Sequence, residues 1–333
     1  MTAQGRHRPA RNRRALLLAL AATLALPASA PAAEAWPVKP VRILVGGPPG
    51  GTADIVTRLV AEGLEKALDH PVMVENKPGA SGVIAVQELL SAPADGHTFL
   101  MIQRGIAAEA PHAMKLRFDP FTDLQPVVQL TRQGLLLVGG AQLPARNLAE
   151  LVAHARSRPV PLAFAAVGAG MRARTLGQQF SQLAGLELAF VDYQGGPAAL
   201  RDLLAGHVPL LVDAPTLLVP QIRAGSVRAY ATTASRRSAA LPDVPTFTEA
   251  GYPELAEESW FALWSRPGLP AAVRDRVREA VLGLLEQPDT RSRLAGLGLD
   301  PGLPLSPAEL AGDAHKAYER HGKVLRAIGF RPE

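Results

Sequence analysis

Two short stretches of this chain offer backbone groups, more than side chains, for chemistry. Gly46-Gly47-Pro48-Pro49-Gly50-Gly51-Thr52 and Gly168-Ala169-Gly170 each follow an apolar run and precede a segment of helical periodicity. Glycines admit a ligand close to the main chain. A helix starting there aims free N–H groups and the positive end of its dipole at that ligand. The chemistry on offer is anion capture, and two such loops facing each other would pinch a carboxylate between them. Tight turns are the other use of such glycines.

Nucleotide chemistry fits less well. Gly46 and Gly51 have the spacing of a P-loop, but Thr52 stands where the phosphate-binding lysine is required. Gly168-x-Gly170-x-x-Ala173, with Asp192 further on, matches a dinucleotide fingerprint only superficially. No G-x-S-x-G elbow occurs, and no serine has an evident histidine partner, so no enzyme is expected. Glu257-Glu258 reads as a solvated pair and not as an acid–base dyad. The chain has no cysteine, which excludes disulfides and thiolate metal sites. His70, His97, His112, His154 and His207 are scattered, and His315 and His321 are spaced so that they miss a common helical face. No metal and no cofactor are expected.

The elements that must position the loops alternate between strand and helix. Residues 41–47 read as a strand and 53–68 as a helix, with Ile55, Val56, Leu59, Val60 and Leu64 at helical spacing. Residues 72–76 form the next strand, 77–82 open a second helix to about residue 90, and 99–103 form a third strand. The pattern restarts with a strand at 162–167 and a helix at 172–183. Further segments at 188–192, 198–204, 208–213, 217–224 and 227–232 continue it. The expectation is an α/β fold with parallel sheets covered on both faces. Ligands of such sheets sit at the carboxyl ends of the strands, where both glycine loops fall.

The amino terminus has a different character. Arg6, Arg8, Arg11, Arg13 and Arg14 precede an apolar run from Ala15 to Leu26, followed by small residues and prolines to Ala35. This describes a secretory signal peptide over residues 1–33, cleaved between about Ala32 and Ala35. The apolar run falls short of the roughly 20 residues a spanning helix needs. Arg13-Arg14 leaves both general and twin-arginine export open. The whole chain holds 35 Lys+Arg against 30 Asp+Glu. All five surplus cations lie in the leader, so the exported chain is neutral and counterion release gives no case for nucleic acid. About 300 remaining residues exceed what one core usually organises, and two lobes are expected.

Across several segments a resemblance becomes specific. Trp36-Pro37-Val38-Lys39-Pro40-Val41-Arg42-Ile43-Leu44-Val45 and Gly50-Gly51-Thr52-Ala53-Asp54 resemble the opening and first binding loop of the tripartite tricarboxylate transporter receptors, often called the Bug family. Val74-Glu75-Asn76-Lys77-Pro78-Gly79-Ala80-Ser81-Gly82, Ala94-Asp95-Gly96-His97-Thr98 and Tyr193-Gln194-Gly195-Gly196 are similar too. Leu241-Pro242-Asp243-Val244-Pro245-Thr246, Glu249-Ala250-Gly251, Ser259-Trp260-Phe261-Ala262-Leu263 and Gly322-Lys323-Val324 follow in the right order, over essentially the whole exported chain.

The resemblance implies a two-lobe periplasmic-binding-protein fold of type II, a Venus flytrap with its cleft at the hinge. It implies a first binding loop of Pro49, Gly50, Gly51, Thr52 and Asp54, and a second of Val167, Gly168, Ala169, Gly170 and Met171. Asp213, Ala214 and Thr216 would line the cleft wall, with Tyr193 nearby. Asp54 would accept a hydrogen bond from ligand or water, or sit in a first helical turn to complement the dipole. Relatives usually carry hydroxyl groups at positions 167 and 171 and a histidine at 174, where this chain has Val167, Met171 and Arg174. Gln103-Arg104-Gly105 likewise replaces smaller residues. Arg104, Arg172 or Arg174 would clamp a second acid group bidentately, or else rim the cleft paired with surface acids. Val167 and Met171 also suit a more apolar ligand, such as an aromatic carboxylate.

The first lobe is expected to hold 36–133 and 240–333, and the second 134–239, with crossings near 135–138 and 232–238. Helices near 271–285 and 306–328 would return to the first lobe. The expected activity is binding without turnover: a monomeric periplasmic receptor takes up a small carboxylate and presents it to membrane permease subunits. A sensor component reporting to a sensor kinase would need the same closing cleft.

Overall fold

A computed structural model describes residues 1–2, 36–167 and 171–330. The signal peptide and three second-loop residues, Gly168, Ala169 and Gly170, lie outside the described residues. The chain divides into an amino-terminal unit, Met1–Val38, and a body, Lys39–Glu333. The described residues of the first unit include no helix or strand. Every described element belongs to the body.

Strand and helix alternate as the periodicity predicts. Val41–Val45 forms β1, Thr52–Leu68 α1, Val72–Asn76 β2, Val83–Ser91 α2 and Thr98–Gln103 β3. β1 lies between β2 and β3, parallel to both. Its Ile43, Leu44 and Val45 are fully buried, as expected of a strand covered on both faces. α1 buries Val56, Leu59, Val60 and Leu64, one stripe of an amphipathic helix. Residues 77–82, expected to open the second helix, instead make a tight turn. Gly79, Ala80, Ser81 and Gly82 all have positive φ there, and α2 begins only at Val83. Two short helices follow, α3 at Gly105–Ala108 and α4 at Ala110–Ala113.

Gln125–Gln133 is β4, and after two residues the chain re-enters a strand, β5, at Leu136–Gly140. Leu148–Ser157 is α5, Leu162–Val167 β6, Arg172–Leu183 α6, Leu188–Tyr193 β7 and Gly196–Leu204 α7. Leu210–Asp213 is β8, Pro215–Arg223 α8 and Val227–Thr232 β9. The chain then returns through β10 at Ser259–Ser265, α9 at Ala271–Glu286, α10 at Pro288–Gly296, β11 at Asp300–Pro301 and α11 at Pro307–Ala327. Ser306 and Glu309 close the start of α11 with a capping box.

Two sheets result, ordered β11-β4-β10-β3-β1-β2 and β7-β6-β8-β5-β9, one per lobe. The expectation of purely parallel sheets is corrected. β10 runs antiparallel to β3 and β4, and β5 antiparallel to β8 and β9. β5 and β10 are the first strands entered after each crossing, with no covering helix to turn the chain around, so they run against their neighbours. β4 gave little sequence signal because Gln129, Thr131 and Gln133 are buried in it beside the apolar residues. Gln129 Oε1 accepts the Leu303 N–H at 2.8 Å, which satisfies part of that polarity.

The first-lobe core joins Leu44, Leu100, Ile102 and Trp264 to Leu310 and Ala314 of α11. The second lobe has a core on each sheet face. Leu137 belongs with Phe164, Leu176 and Phe180 on one, and Leu136 and Val138 with Leu211 and Leu218 on the other. That alternation is the strand period of two. A second correction concerns the lobe boundary. Leu241, Val244, Phe247 and Leu255 pack in the second-lobe cores, so the return falls near Glu257 and not at 240. The Thr232 and Phe247 main chains bond there, which holds the segment to β9.

Three crossing segments meet at Thr233. Its hydroxyl accepts the Leu135 N–H at 2.8 Å and donates to the Glu257 carbonyl at 2.6 Å. Its main chain bonds the same two residues. Thr233→Val keeps the shape and strands a buried donor and acceptor. The expected loss is about 1–3 kcal/mol in urea unfolding, and an unchanged midpoint would mean the crossing does not depend on that hydroxyl.

Candidate functional site

The carboxyl ends of β1 and β3 and those of β6, β7 and β8 surround one cleft of about 480 Å³. From the first lobe come Gly46, Gly47, Pro48, Gly51, Thr52 and Ala53, the turn at Ala80 and Ser81, and Ile102 with Gln103. From the second come Val167, the start of α6 at Met171–Ala173, the run from Asp192 to Gly196, and Asp213 with Ala214. Gln133, Leu135, Ser259 and Phe261 from the crossing strands complete the wall. Ligand positions at strand ends and helix starts are the rule for such sheets.

The loop after β1 is built to stay open. Gly50 has φ +73, the left-handed region that glycine tolerates. Its N–H donates to Asp54 Oδ2 at 2.9 Å, while Arg58 holds Asp54 Oδ1 at 3.0 Å. Burial works to raise the Asp54 pKa, but the bonds from Arg58 and Gly50 outweigh it and hold the carboxyl below its usual range. Asp54 therefore braces the loop from the first helical turn and does not line the cleft. Pro49 and Gly50 face solvent, so of the five first-loop positions Gly51 and Thr52 reach the cleft.

Helix starts crowd the site. No side chain of the N-cap residue caps α1, α7 or α8, which begin at Thr52, Gly196 and Pro215. The first turn of such a helix keeps N–H groups without intrahelical partners. α6 differs: the N–H of its first residue, Arg172, donates to Glu109 Oε2 of the first lobe at 2.9 Å. A buried carboxylate of the protein thus already sits at that helix start. Met171 also reaches across, packing with Ile102 and Ile106 in the first-lobe core while lining the cleft.

The arginines do not form a ligand clamp. Arg104 is buried off the cleft, bonded to Glu257 Oε1 at 2.8 Å and Asp313 Oδ2 at 3.3 Å. Arg172 reaches the cleft edge, but its guanidinium meets Glu257 Oε2 at 2.8 Å, Gln179 and the Leu255 carbonyl. Arg174 pairs with Asp192 and lies over the Phe190 ring, 5.4 Å from its centroid, away from the cleft wall. A guanidinium taken out of water needs anionic partners, and these came from segments distant in sequence. Glu257, expected as a solvated residue, is instead held by Arg104, Arg172 and Arg320. Burial pushes its pKa up, yet the three cations more than offset this and keep it low.

Two second-lobe residues remain. The Tyr193 ring lines the cleft, but its hydroxyl donates to Asp202 Oδ2 at 2.6 Å. Burial and that carboxylate push its pKa up to about 12. Asp213 Oδ1 accepts the Ala214 N–H at 2.7 Å, whereas Oδ2 is buried with no hydrogen-bond partner. Burial pushes the Asp213 carboxyl up to about 6, against the pull of that N–H. Ala80, Ser81, Gln194, Gly195 and Gly196 went unrecognised as lining residues. The sequence signal for them was the similarity at Gly79–Gly82 and Tyr193–Gly196, which carried no role.

Facing loops meet across the cleft. A Cβ on Gly195 would come within 2.8 Å of the Pro48 side chain, so the two lobes approach there to the limit that glycine permits.

Comparison with known proteins agrees with this architecture. Residues 56–330 match the family model described as tripartite tricarboxylate transporter family receptor. BugT of Bordetella pertussis is 31% identical over 316 residues, covering 93% of this chain and 94% of BugT. An R. palustris protein solved with adipate is 31% identical with a TM-score of 0.86, covering 90% of this chain and 100% of the other. MatC from Rhodopseudomonas palustris, solved with bound malate, is 32% identical with a TM-score of 0.81, covering 87% and 100%.

Proposed function

The chain belongs to the tripartite tricarboxylate transporter receptor family, and on that premise we propose that it captures a small carboxylate outside the cytoplasm for membrane permease subunits. The observation that carries this reading is the loop after β1. It presents an uncapped helix start to a cleft closed on the other side by Gln194–Gly196. Such a helix start binds an anion through main-chain N–H groups and its dipole. The adipate-bound and malate-bound structures are of proteins similar to this one over their full length, which supports a carboxylate as the anion.

Capture needs no chemistry in this reading. The open cleft admits the ligand, the lobes turn about Leu135, Thr233 and Glu257, and Pro48 meets Gly195 over it. The lobes are held in register by Glu109 on the Arg172 N–H and by Met171 in the first-lobe core. The leader is removed before the receptor acts, and the exported form starts between about Ala32 and Ala35.

The test is a thermal-shift and calorimetric screen of the exported form, stripped of ligand by unfolding and refolding. The panel holds di- and tricarboxylates, acidic amino acids and aromatic acids, each beside its neutral amide. A ligand at a hundredfold excess over Kd raises stability by about 2.7 kcal/mol. Binding of an acid with its amide silent is the expected result. Folded protein that binds no carboxylate in the panel overturns the reading.

A further inference from the structure

Three residues other than glycine have positive φ among the described residues: Asp69, Ala80 and Ser81. Asp69 ends α1, a place where the left-handed conformation is ordinary. Ala80 and Ser81 stand side by side between Gly79 and Gly82, and both line the cleft. Ser81 has φ 53 and ψ 29. Its Cβ makes that conformation unfavourable, and polar residues that adopt it usually offset the strain with a local hydrogen bond. Ser81 is half-buried, and its hydroxyl has no hydrogen-bond partner among the described residues.

The surroundings impose the strain. A Cβ on Gly82 would collide with the Ile102 side chain and lie 3.4 Å from the Gly46 carbonyl oxygen, so the turn is wedged between the ends of β1 and β3. Gly46 and Ile102 belong to the cleft wall, and Gly46 opens the loop that leads to the start of α1. Ser81 is thus fixed beside that loop, where glycine would fill the same turn without strain. Strained residues persist where their neighbours hold them, and they gather at ligand clamps. The one cation among the described lining residues, Arg172, is committed to Glu257, so a carboxylate here is met by neutral donors. We propose that the Ser81 hydroxyl donates to the ligand's carboxylate, adding a side-chain donor to the main-chain N–H groups at the start of α1. The left-handed turn places that hydroxyl, and stability is given up for affinity at this residue. This rests on carboxylate capture as the function and names a binding residue within it.

Two variants separate the hydroxyl from the strain. Ser81→Ala removes the hydroxyl and keeps the unfavourable conformation, whereas Ser81→Gly removes both. Natural protein and both variants, stripped of ligand, are titrated calorimetrically at pH 7.5 with adipate, malate, citrate, glutamate and benzoate, and unfolded in urea. For the acids that bind, both variants are expected to bind about tenfold to a hundredfold more weakly, the range of a hydrogen bond to a charged group. Ser81→Gly is expected at the same time to raise the urea midpoint above those of Ser81→Ala and the natural protein, a gain in stability with a loss in affinity that a merely structural residue would not give. Natural affinity, within about twofold, in either variant overturns the proposal and leaves carboxylate capture standing, since both lack the hydroxyl. A Ser81→Gly midpoint at or below the natural one overturns the exchange of stability for affinity. Failure of every acid to bind the folded natural protein overturns capture itself.

Discussion

Replacement of Glu257 by glutamine is expected to cost about 3–5 kcal/mol of stability, the loss that follows when one partner of a buried ion cluster is neutralised. The side chain keeps its shape, but Arg104 and Arg172 lose the anion between them, and both are buried. Asp313 gives Arg104 a longer contact at 3.3 Å, and Arg172 keeps only neutral acceptors on its side chain. Urea unfolding monitored by circular dichroism measures the change. A loss below about 1 kcal/mol, the range of exposed pairs, would mean that the cluster is solvated after all.

The pH dependence gives an independent check. The folded Glu257 pKa lies below its ordinary value of 4.5, so its stabilisation is complete above that pH. It is lost as pH falls through the lower, folded value. The stability difference between natural protein and E257Q should therefore be flat from about pH 5 upward and shrink on acidification. A difference that grows toward acid has the wrong sign for a paired carboxylate.

The second large effect concerns binding. Gly195→Val is expected to leave the fold intact and weaken ligand affinity by about tenfold to a hundredfold, or 1.4 to 2.8 kcal/mol. Gly195 has φ 174, extended backbone that any residue adopts, so the change carries no backbone strain. The added side chain instead meets Pro48 of the other lobe and keeps the lobes apart. Ligand then binds one wall without the other, and small-angle scattering should show no compaction on adding it. Natural affinity in G195V would show that closure at this point does not contribute to capture.

Much of the fold was legible because its signals are local. Strand β6, helix α6 and strand β9 occupy the residues their periodicity predicts, since apolar spacing reports which face of an element is covered. The strand–glycine–helix order at Gly46–Thr52 located one wall of the cleft for the same reason. Gly79–Gly82 misled, because the signal for a helix start there resembles that of a turn with four positive φ angles.

The arginines show where local reasoning stopped. Arg104 and Arg174 have the chemistry of a carboxylate clamp, and the carboxylates that hold them belong to the protein. Asp192 is one strand away from Arg174, but Glu257 and Asp313 meet Arg104 only after the chain has crossed between lobes and returned. Leu241–Leu255 likewise joined the second lobe through bonds to β9 that no periodicity could announce.

The sequence by itself determined the alternation, the two glycine-bearing strand ends and the family, since each is carried by residues close together in the chain. The tertiary structure alone decided the reversed crossing strands, the anion that occupies the start of α6, and which charges remain for a ligand. The physical reason is that a charged group's role depends on its nearest counter-charge. Burial makes that pairing obligatory, and only the folded chain brings Glu109 to Arg172, Glu257 to Arg104, and nothing to Asp213 Oδ2.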